Sequence, residues 1–244
     1  MNEFNLHGKT ILITGASSGI GRTSALEASR NGASLIITGR DEKRLEETYS
    51  GLEKGNHSMY KADLTREDEL DALVSSLPKL NGIVHCAGIV GPLPVKFITQ
   101  ADIDRMFSIN YVVPVNLTSK LLRKKLLQNP SSIVFMSSIA TRNPYFGGAL
   151  YSGSKAALEA YSKTLALEFV TNGIRSNCLL AGLVETPMID NHAEKKMQDE
   201  ALNRYLGRYP MGIGKPGDVA AAVIYFLSDA SKWVNGTSLI LGGE

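Results

Sequence analysis

Cysteine is scarce in this 244-residue chain, with Cys86 and Cys178 its only two. That excludes a disulfide-stapled secreted scaffold. The four histidines, His7, His57, His85 and His192, are scattered without ligand spacing, so no metal site is expected. No apolar run approaches the ~18 residues of a spanning helix. The first strand-like run begins by Lys9, which leaves no room before it for a secretory signal, and the expected compartment is a reducing cytoplasm. Charge of one sign is also missing. The 26 basic and 24 acidic residues are interspersed, for a net charge of +2, so neither nucleic acid nor a membrane is expected as a partner. The basic group Lys120, Arg123, Lys124 and Lys125 falls at the end of a predicted helix, where cations complement the dipole.

What is present is an ordinary globular composition, 43% hydrophobic and 20% charged, at a length that suits one domain with a substantial core. Lys9 to Thr14 reads as a buried strand, Gly15-Ala-Ser-Ser-Gly-Ile-Gly21 as a tight turn, and the following residues to about Arg30 as a helix. Strand, glycine turn and helix N-terminus together form a phosphate-binding plan, although the spacing Gly-x-x-x-Gly-x-Gly departs from the commoner Gly-x-Gly-x-x-Gly. A second strand, Ala33 to Thr38, leads to Gly39-Arg40 and a charged helix from Asp41 to about Glu53. No carboxylate stands at the end of that strand to take a ribose 2′-hydroxyl. Arg40 can instead clamp a 2′-phosphate, which favours NADP(H) over NAD(H); read without a ligand, Arg40 is a surface residue and Asp41 a helix cap.

The alternation continues through a strand near Ser58 to Lys61, a helix from about Arg66 to Ser76, and the strand Leu80 to His85 followed by Cys86-Ala87-Gly88. A long helix is read from about Thr99 to Leu127, with Asn110 and Pro114 suggesting a kink. Further strands are read at Ser132–Ser137, Ser176–Leu180 and Ser238–Leu241, with a capped apolar helix from Pro216 to Leu227. The whole predicts an α/β fold: one doubly wound, Rossmann-type parallel sheet of about seven strands with helices on both faces and a ligand at the carboxyl ends of the strands. Residues 1–130 are assigned mainly to cofactor binding and residues 131–244 to catalysis and substrate, with no linker or repeat between them.

The segment Ser138 to Lys155 carries the chemistry. Ser138 ends a strand, and Tyr151 and Lys155 stand at i and i+4 on one helix face. A cation beside a phenol favours its ionised form, so such a tyrosine can deliver a proton to a carbonyl oxygen that a serine hydroxyl also holds. The Tyr-x-x-x-Lys spacing alone is weak, since about 0.6 such pairs arise by chance in a chain of this composition.

Taken together, Thr14-Gly-x-x-x-Gly-Ile-Gly21, Asp63, Ala87-Gly88, Asn110, Ser138, Tyr151-x-x-x-Lys155 and Gly182-x-x-x-Thr186 make the whole chain resemble the short-chain dehydrogenase/reductase family in its compact branch. The resemblance implies that Tyr151 donates the proton, that Lys155 tunes it and binds the nicotinamide ribose, that Ser138 orients the carbonyl, and that Asn110 anchors a water leading to Lys155. For the cofactor it implies contacts from Gly15, Ser17, Ser18, Gly19, Ile20 and Gly21 in the turn, and from Arg40, Asp63 and Leu64. It implies further contacts from Cys86, Ala87 and Gly88, from Tyr151 and Lys155, and from Ala181, Gly182, Val184 and Thr186. Family members without an acid after the second strand and with arginine there tend to use NADP(H), and many are homotetramers, so a dimer or tetramer is expected.

Two departures stand out. His85-Cys86 replaces the family's Asn-Asn, which puts local stiffness in doubt, and Ala181 replaces a proline, which predicts a more mobile approach to the substrate loop. The substrate is expected to meet residues 89–97, 141–149 and a lid at about 182–212 that carries Met188, Ile189, Met197, Leu202, Tyr205, Leu206, Tyr209 and Met211. Pro144, Tyr145 and Phe146 are candidate wall residues, and Arg142 is either a partner for an anionic substrate or a solvated loop residue. The function expected is hydride transfer between NADP(H) and a small-molecule carbonyl or alcohol. The alternatives are a 3-oxoacyl thioester reductase of fatty-acid synthesis and a non-catalytic NADP(H)-binding regulator.

Overall fold

A computed structural model describes residues 3–190, 207 and 211–242 of the chain. Seven strands form one parallel sheet: β1 (Thr10–Thr14), β2 (Ser34–Gly39), β3 (Ser58–Lys61), β4 (Leu80–His85), β5 (Leu127–Ser138), β6 (Ile174–Ala181) and β7 (Ser238–Leu241). Their spatial order is β3-β2-β1-β4-β5-β6-β7, so the direction of winding reverses between β1 and β4. At such a reversal the loops leaving neighbouring strands diverge, and a crevice opens at the carboxyl edge.

The strands between the two edges are buried on both faces, and successive residues divide between two cores. Ile11, Ile13, Ile37, Val134 and Met136 face one side, with α1 (Gly19–Arg30), Leu45 of α2 (Glu42–Ser50) and α8 (Pro216–Leu227) packed against them. Leu12, Ile36, Ile133, Phe135 and Leu180 face the other. There they meet α3 (Glu67–Ser76), α5 (Val113–Arg123) and α6 (Ala149–Phe169). The period of two expected of a pleated strand therefore assigns each residue its layer.

The structure corrects several boundaries. The long helix read from Thr99 to Leu127 is three pieces: α4 (Gln100–Phe107), a π turn (Ser108–Val112) and α5, which stops at Arg123. Pro114 has no N–H to give the Asn110 carbonyl four residues earlier, and the ladder widens there. Lys125 has a positive φ of 52° and turns the chain into β5, which begins at Leu127, five residues before the predicted start. The charged helix after Arg40 ends at Ser50 rather than Glu53, and α6 starts at Ala149, so Tyr151 and Lys155 both lie in its first two turns. Of the expected lid, α7 (Pro187–Asp190) is described. Met197, Leu202, Tyr205, Leu206 and Tyr209 lie outside the described residues.

Candidate active site

A cleft of about 1480 Å³ runs along the carboxyl edge of the sheet, between the glycine turn at one end and the segments after β4 and β5 at the other. Every residue the sequence assigned to the cofactor lines it. Gly15 and Gly21 explain the turn's shape. Gly15 has φ +65°, and a Cβ there would stand 2.7 Å from the Ala87 nitrogen; a Cβ on Gly21 would stand 2.3 Å from the Gly15 carbonyl oxygen. Only glycine lets β1, α1 and the β4 loop close together at this point. Thr186 lies over the same turn, its Cγ2 3.2 Å from where a Gly19 Cβ would stand.

The N-terminus of α1 suits an anion. Its Ser18 cap makes no side-chain hydrogen bond to the first turn, and that turn holds no acidic residue. The orphan N–H groups of a twelve-residue helix therefore face a cleft lined by Ser17, Ser18, Gly19 and Ile20. These features fit the diphosphate of a dinucleotide. Farther along the cleft stand Arg40, Asp41 and Arg44. Asp41 is a helix cap: its carboxylate accepts from the Arg44 N–H at 3.1 Å and lies 3.4 Å from the Arg44 guanidinium. Burial alone would raise the Asp63 carboxyl, but the hydroxyl and N–H of Thr65 and the nearby Arg40 hold it below the usual value. Arg44, four residues after Arg40, was missed in the sequence because its spacing reads as ordinary surface helix charge.

At the other end of the cleft β5 delivers Ser138 and α6 delivers Tyr151 and Lys155. Ser138 Oγ accepts the Ala140 N–H at 3.2 Å, which fixes the oxygen and leaves the hydroxyl proton free to be given. Lys155 is buried, its Nζ donating to the Met136 carbonyl at 2.8 Å and lying 5.9 Å from the centroid of the Tyr151 ring. Burial pushes the Lys155 ammonium down to about 8. Asn110 does not line the cleft. It is fully buried in the π turn, where its Oδ1 accepts the Ile89 N–H at 2.8 Å and its Nδ2 reaches the Ile89 carbonyl at 2.9 Å and Ser154 Oγ at 3.1 Å. A Cβ on Gly88 would come within 3.2 Å of Asn110 Oδ1 and 3.4 Å of Lys155 Nζ, so the asparagine and the lysine flank one glycine.

The two departures from the family pattern have structural answers. The loop containing Cys86 is braced by Thr14, whose Oγ1 accepts the Ala87 N–H at 3.2 Å, and by Asn110 at Ile89. Burial raises the Cys86 thiol to about 12, against a smaller opposing effect of Lys155. His85 stacks on Phe135 at 4.7 Å and pairs through Nε2 with Thr118, while burial and Lys155 push it down to about 3, so it stays neutral. Ala181 is the last residue of β6, in register with Ser138 and Leu241, and the Gly182 N–H donates to the Leu241 carbonyl at 2.9 Å. That hydrogen bond ties Gly182, at the start of the segment, to the edge strand. Arg142 is an exposed loop residue, as one of its two readings expected, with its side chain 44% exposed, and its guanidinium also pairs at 2.8 Å with Glu159, a carboxylate only 5% exposed.

Among the described residues no group of three His, Cys, Asp or Glu is placed to hold a metal ion, and no helix is long and apolar enough to cross a membrane. The crevice at the winding reversal, the glycine turn and the Ser138, Tyr151, Lys155 cluster define a dinucleotide-dependent oxidoreductase fold. The protein family described as Enoyl-(Acyl carrier protein) reductase matches residues 15–243. The chain is 31% identical over 243 residues to dehydrogenase/reductase SDR family member 6 of Rattus norvegicus, across 98% of this chain and 97% of the relative. It is 32% identical over 239 residues to the 3-oxoacyl-(acyl-carrier-protein) reductase FabG of Rickettsia felis, with the same coverage. Among solved structures, the 3-ketoacyl-(acyl-carrier-protein) reductase of Brucella melitensis complexed with NADH superposes with a TM-score of 0.86 at 26% identity, over 97% of this chain and 98% of that one. A gluconate 5-dehydrogenase candidate from Beutenbergia cavernae, with NADP bound at low occupancy, gives 0.86 at 25% identity over 98% and 97%. The chain belongs to the short-chain dehydrogenase/reductase family and is an oxidoreductase with a nicotinamide dinucleotide cofactor.

Proposed function

We propose that this enzyme reduces a carbonyl, or oxidises the matching alcohol, with NADP(H), using Tyr151 as the proton donor. The observation that carries the reading is the placement of buried Lys155 Nζ 5.9 Å from the Tyr151 ring, at a cleft that Ser138 also lines. The cofactor supplies hydride. Ser138 donates its free proton to the carbonyl oxygen, and Tyr151 delivers a full proton to the same oxygen as charge develops there. Lys155, held by the Met136 carbonyl, keeps a positive charge beside the phenol and favours its ionised form once the proton has left. Asn110 holds the Ile89 backbone and Ser154, the residue before Lys155, and so fixes the floor beneath the ammonium.

Preference for NADP(H) over NAD(H) is supported by Arg40 and Arg44, which both line the far end of the cleft and carry the charge that complements a 2′-phosphate, while Asp41 caps its own helix and pairs with Arg44. The substrate end is walled by Ile89, Val90, Ile139, Tyr145, Phe146 and Leu183, which suits a small or medium carbonyl with apolar flanks. A 3-oxoacyl thioester is the second reading, supported by the similarity to the Rickettsia felis reductase. A homo-oligomer acting in the cytoplasm completes the proposal. Leu167, Val170 and Trp233, at 78%, 52% and 95% exposure, are apolar surface that a second copy would cover.

The test is NADPH consumption across ketones, diketones, quinones and acetoacetyl thioesters, with Tyr151→Phe beside the wild type. Turnover should fall at least ~10²-fold in the variant while NADPH still binds. Equal turnover by both proteins would remove Tyr151 from the mechanism, and NADPH binding without turnover on any compound would favour a non-catalytic regulator.

A further inference from the structure

Among the described residues one buried carboxylate, Glu159, is not used by the proposed chemistry, and it lies between the two elements that carry that chemistry. Glu159 sits one turn beyond Lys155 on α6. Its Oε1 accepts from Ser137 Oγ at 3.2 Å and its Oε2 from the Arg142 guanidinium at 2.8 Å. Ser137 immediately precedes Ser138 and also reaches the Lys155 carbonyl at 3.3 Å. Arg142 lies four residues beyond Ser138. Its other terminal nitrogen donates to Thr141 Oγ1 at 3.2 Å, and that hydroxyl in turn donates to the Ser138 carbonyl at 3.0 Å. The contacts straddle Ser138 on both sides and converge on the helix of Tyr151 and Lys155.

We infer that Glu159, Ser137 and Arg142 form a clip that positions Ser138 against Tyr151 and Lys155, an inference that rests on the proposed chemistry. The fold does not need the clip to dock α6, because Leu158 and Leu165 already pack into the same core as Ile133, Phe135 and Leu180. An apolar contact of that kind tolerates sliding, whereas a carboxylate with one oxygen on each of two donors defines a single placement. Reaction geometry is sensitive on that scale, since a displacement of about 1 Å costs on the order of 10²-fold in rate. The clip also turns Arg142 toward α6, and Arg142 does not line the cleft.

Glu159→Gln, Arg142→Met and Arg142→Lys, with the double variant Glu159→Gln/Arg142→Met, test this in the full chain. Two readouts are needed: steady-state kinetics with NADPH and the best carbonyl of the panel, and amide hydrogen exchange over residues 138–146. Glu159→Gln and Arg142→Met should each lower kcat about 10- to 100-fold. The affinity for NADPH should move less than about twofold, because no clip residue belongs to the glycine turn or the Arg40 end. The double variant should be no slower than the slower single one, and Arg142→Lys should recover most of kcat. Exchange should rise at Ala140, Arg142 and Asn143, whose N–H groups close the turn after Ser138, and stay unchanged in β1 and β4. Unchanged kcat, with only a lower melting temperature, overturns the clip; so does unchanged exchange in the turn. A wild type without turnover on any carbonyl, or a fully active Tyr151→Phe, would instead overturn the proposed chemistry, and the exchange readout would still decide the clip.

Discussion

Lys155 is a single buried charge whose titration bears on the proposed chemistry. Burial lowers its ammonium to about 8 from 10.5. In the proposed mechanism the protonated form supports Tyr151, so kcat/KM for NADPH-driven reduction should fall as pH rises through about 8, measured with a substrate that does not itself titrate there. Stability responds with the opposite sign. Between about pH 8 and 10.5 the unfolded chain binds the proton that the folded lysine has lost, so this group's contribution to cofactor-free stability rises with pH across that window, which denaturant melts at pH 8 and 10 would detect. Cys178 follows the same physics toward silence. Fully buried and with its thiol raised to about 12, it should not react with a thiol reagent at pH 7 unless the chain is unfolded, which a titration with and without guanidinium checks. Arg40→Ala should raise KM for NADPH about 10- to 100-fold and leave KM for NADH nearly unchanged; equal changes for both would contradict a 2′-phosphate contact.

Individual elements depend on where backbone must approach backbone. Gly21→Ala places a methyl group 2.3 Å from the Gly15 carbonyl oxygen, and neither atom belongs to a side chain that can swing aside. It should cost of order 1–3 kcal/mol in denaturant unfolding and also reduce dinucleotide affinity, because the turn and the first turn of α1 shift together. The glycine turn was legible in the sequence because glycine spacing is a direct record of such contacts. The π turn was not. Asn110 and Pro114 announced an interruption, but which carbonyls would find new donors depends on how α4 and α5 pack. The start of β5 at Leu127 was also hidden, since Asn129-Pro130-Ser131 reads as a loop; Leu127 pairs with Leu80 of β4 and Ser131 with Ile174 of β6, and the register to β4 shifts between Leu80 and Gly82.

The molecule as a whole leaves exposed apolar side chains on and just after α6, at Leu167 and Val170, and near or on β7, at Trp233, Leu239 and Ile240. If they meet a second copy, the wild type should elute as a dimer or tetramer in light scattering, and Leu167→Asp/Trp233→Asp should shift it toward the monomer with the cofactor site intact. A monomeric wild type at micromolar concentration would count against the assembly. At this scale, alternating strand and helix patterns determined the sheet, its parallel sense and its carboxyl-edge site, because hydrophobic periodicity is local and the handedness of crossovers leaves few topologies. The set of Ser138, Tyr151 and Lys155 was equally readable, since order and spacing survive in one dimension. What tertiary structure alone decided was how groups far apart in the chain pair in space. Arg142 turns to Glu159, Thr14 braces Ala87, and Gly182 is bound by Leu241, so the substitution at Ala181 leaves that segment hydrogen-bonded to the edge strand. Each depends on distances between elements, which no local pattern of residues encodes.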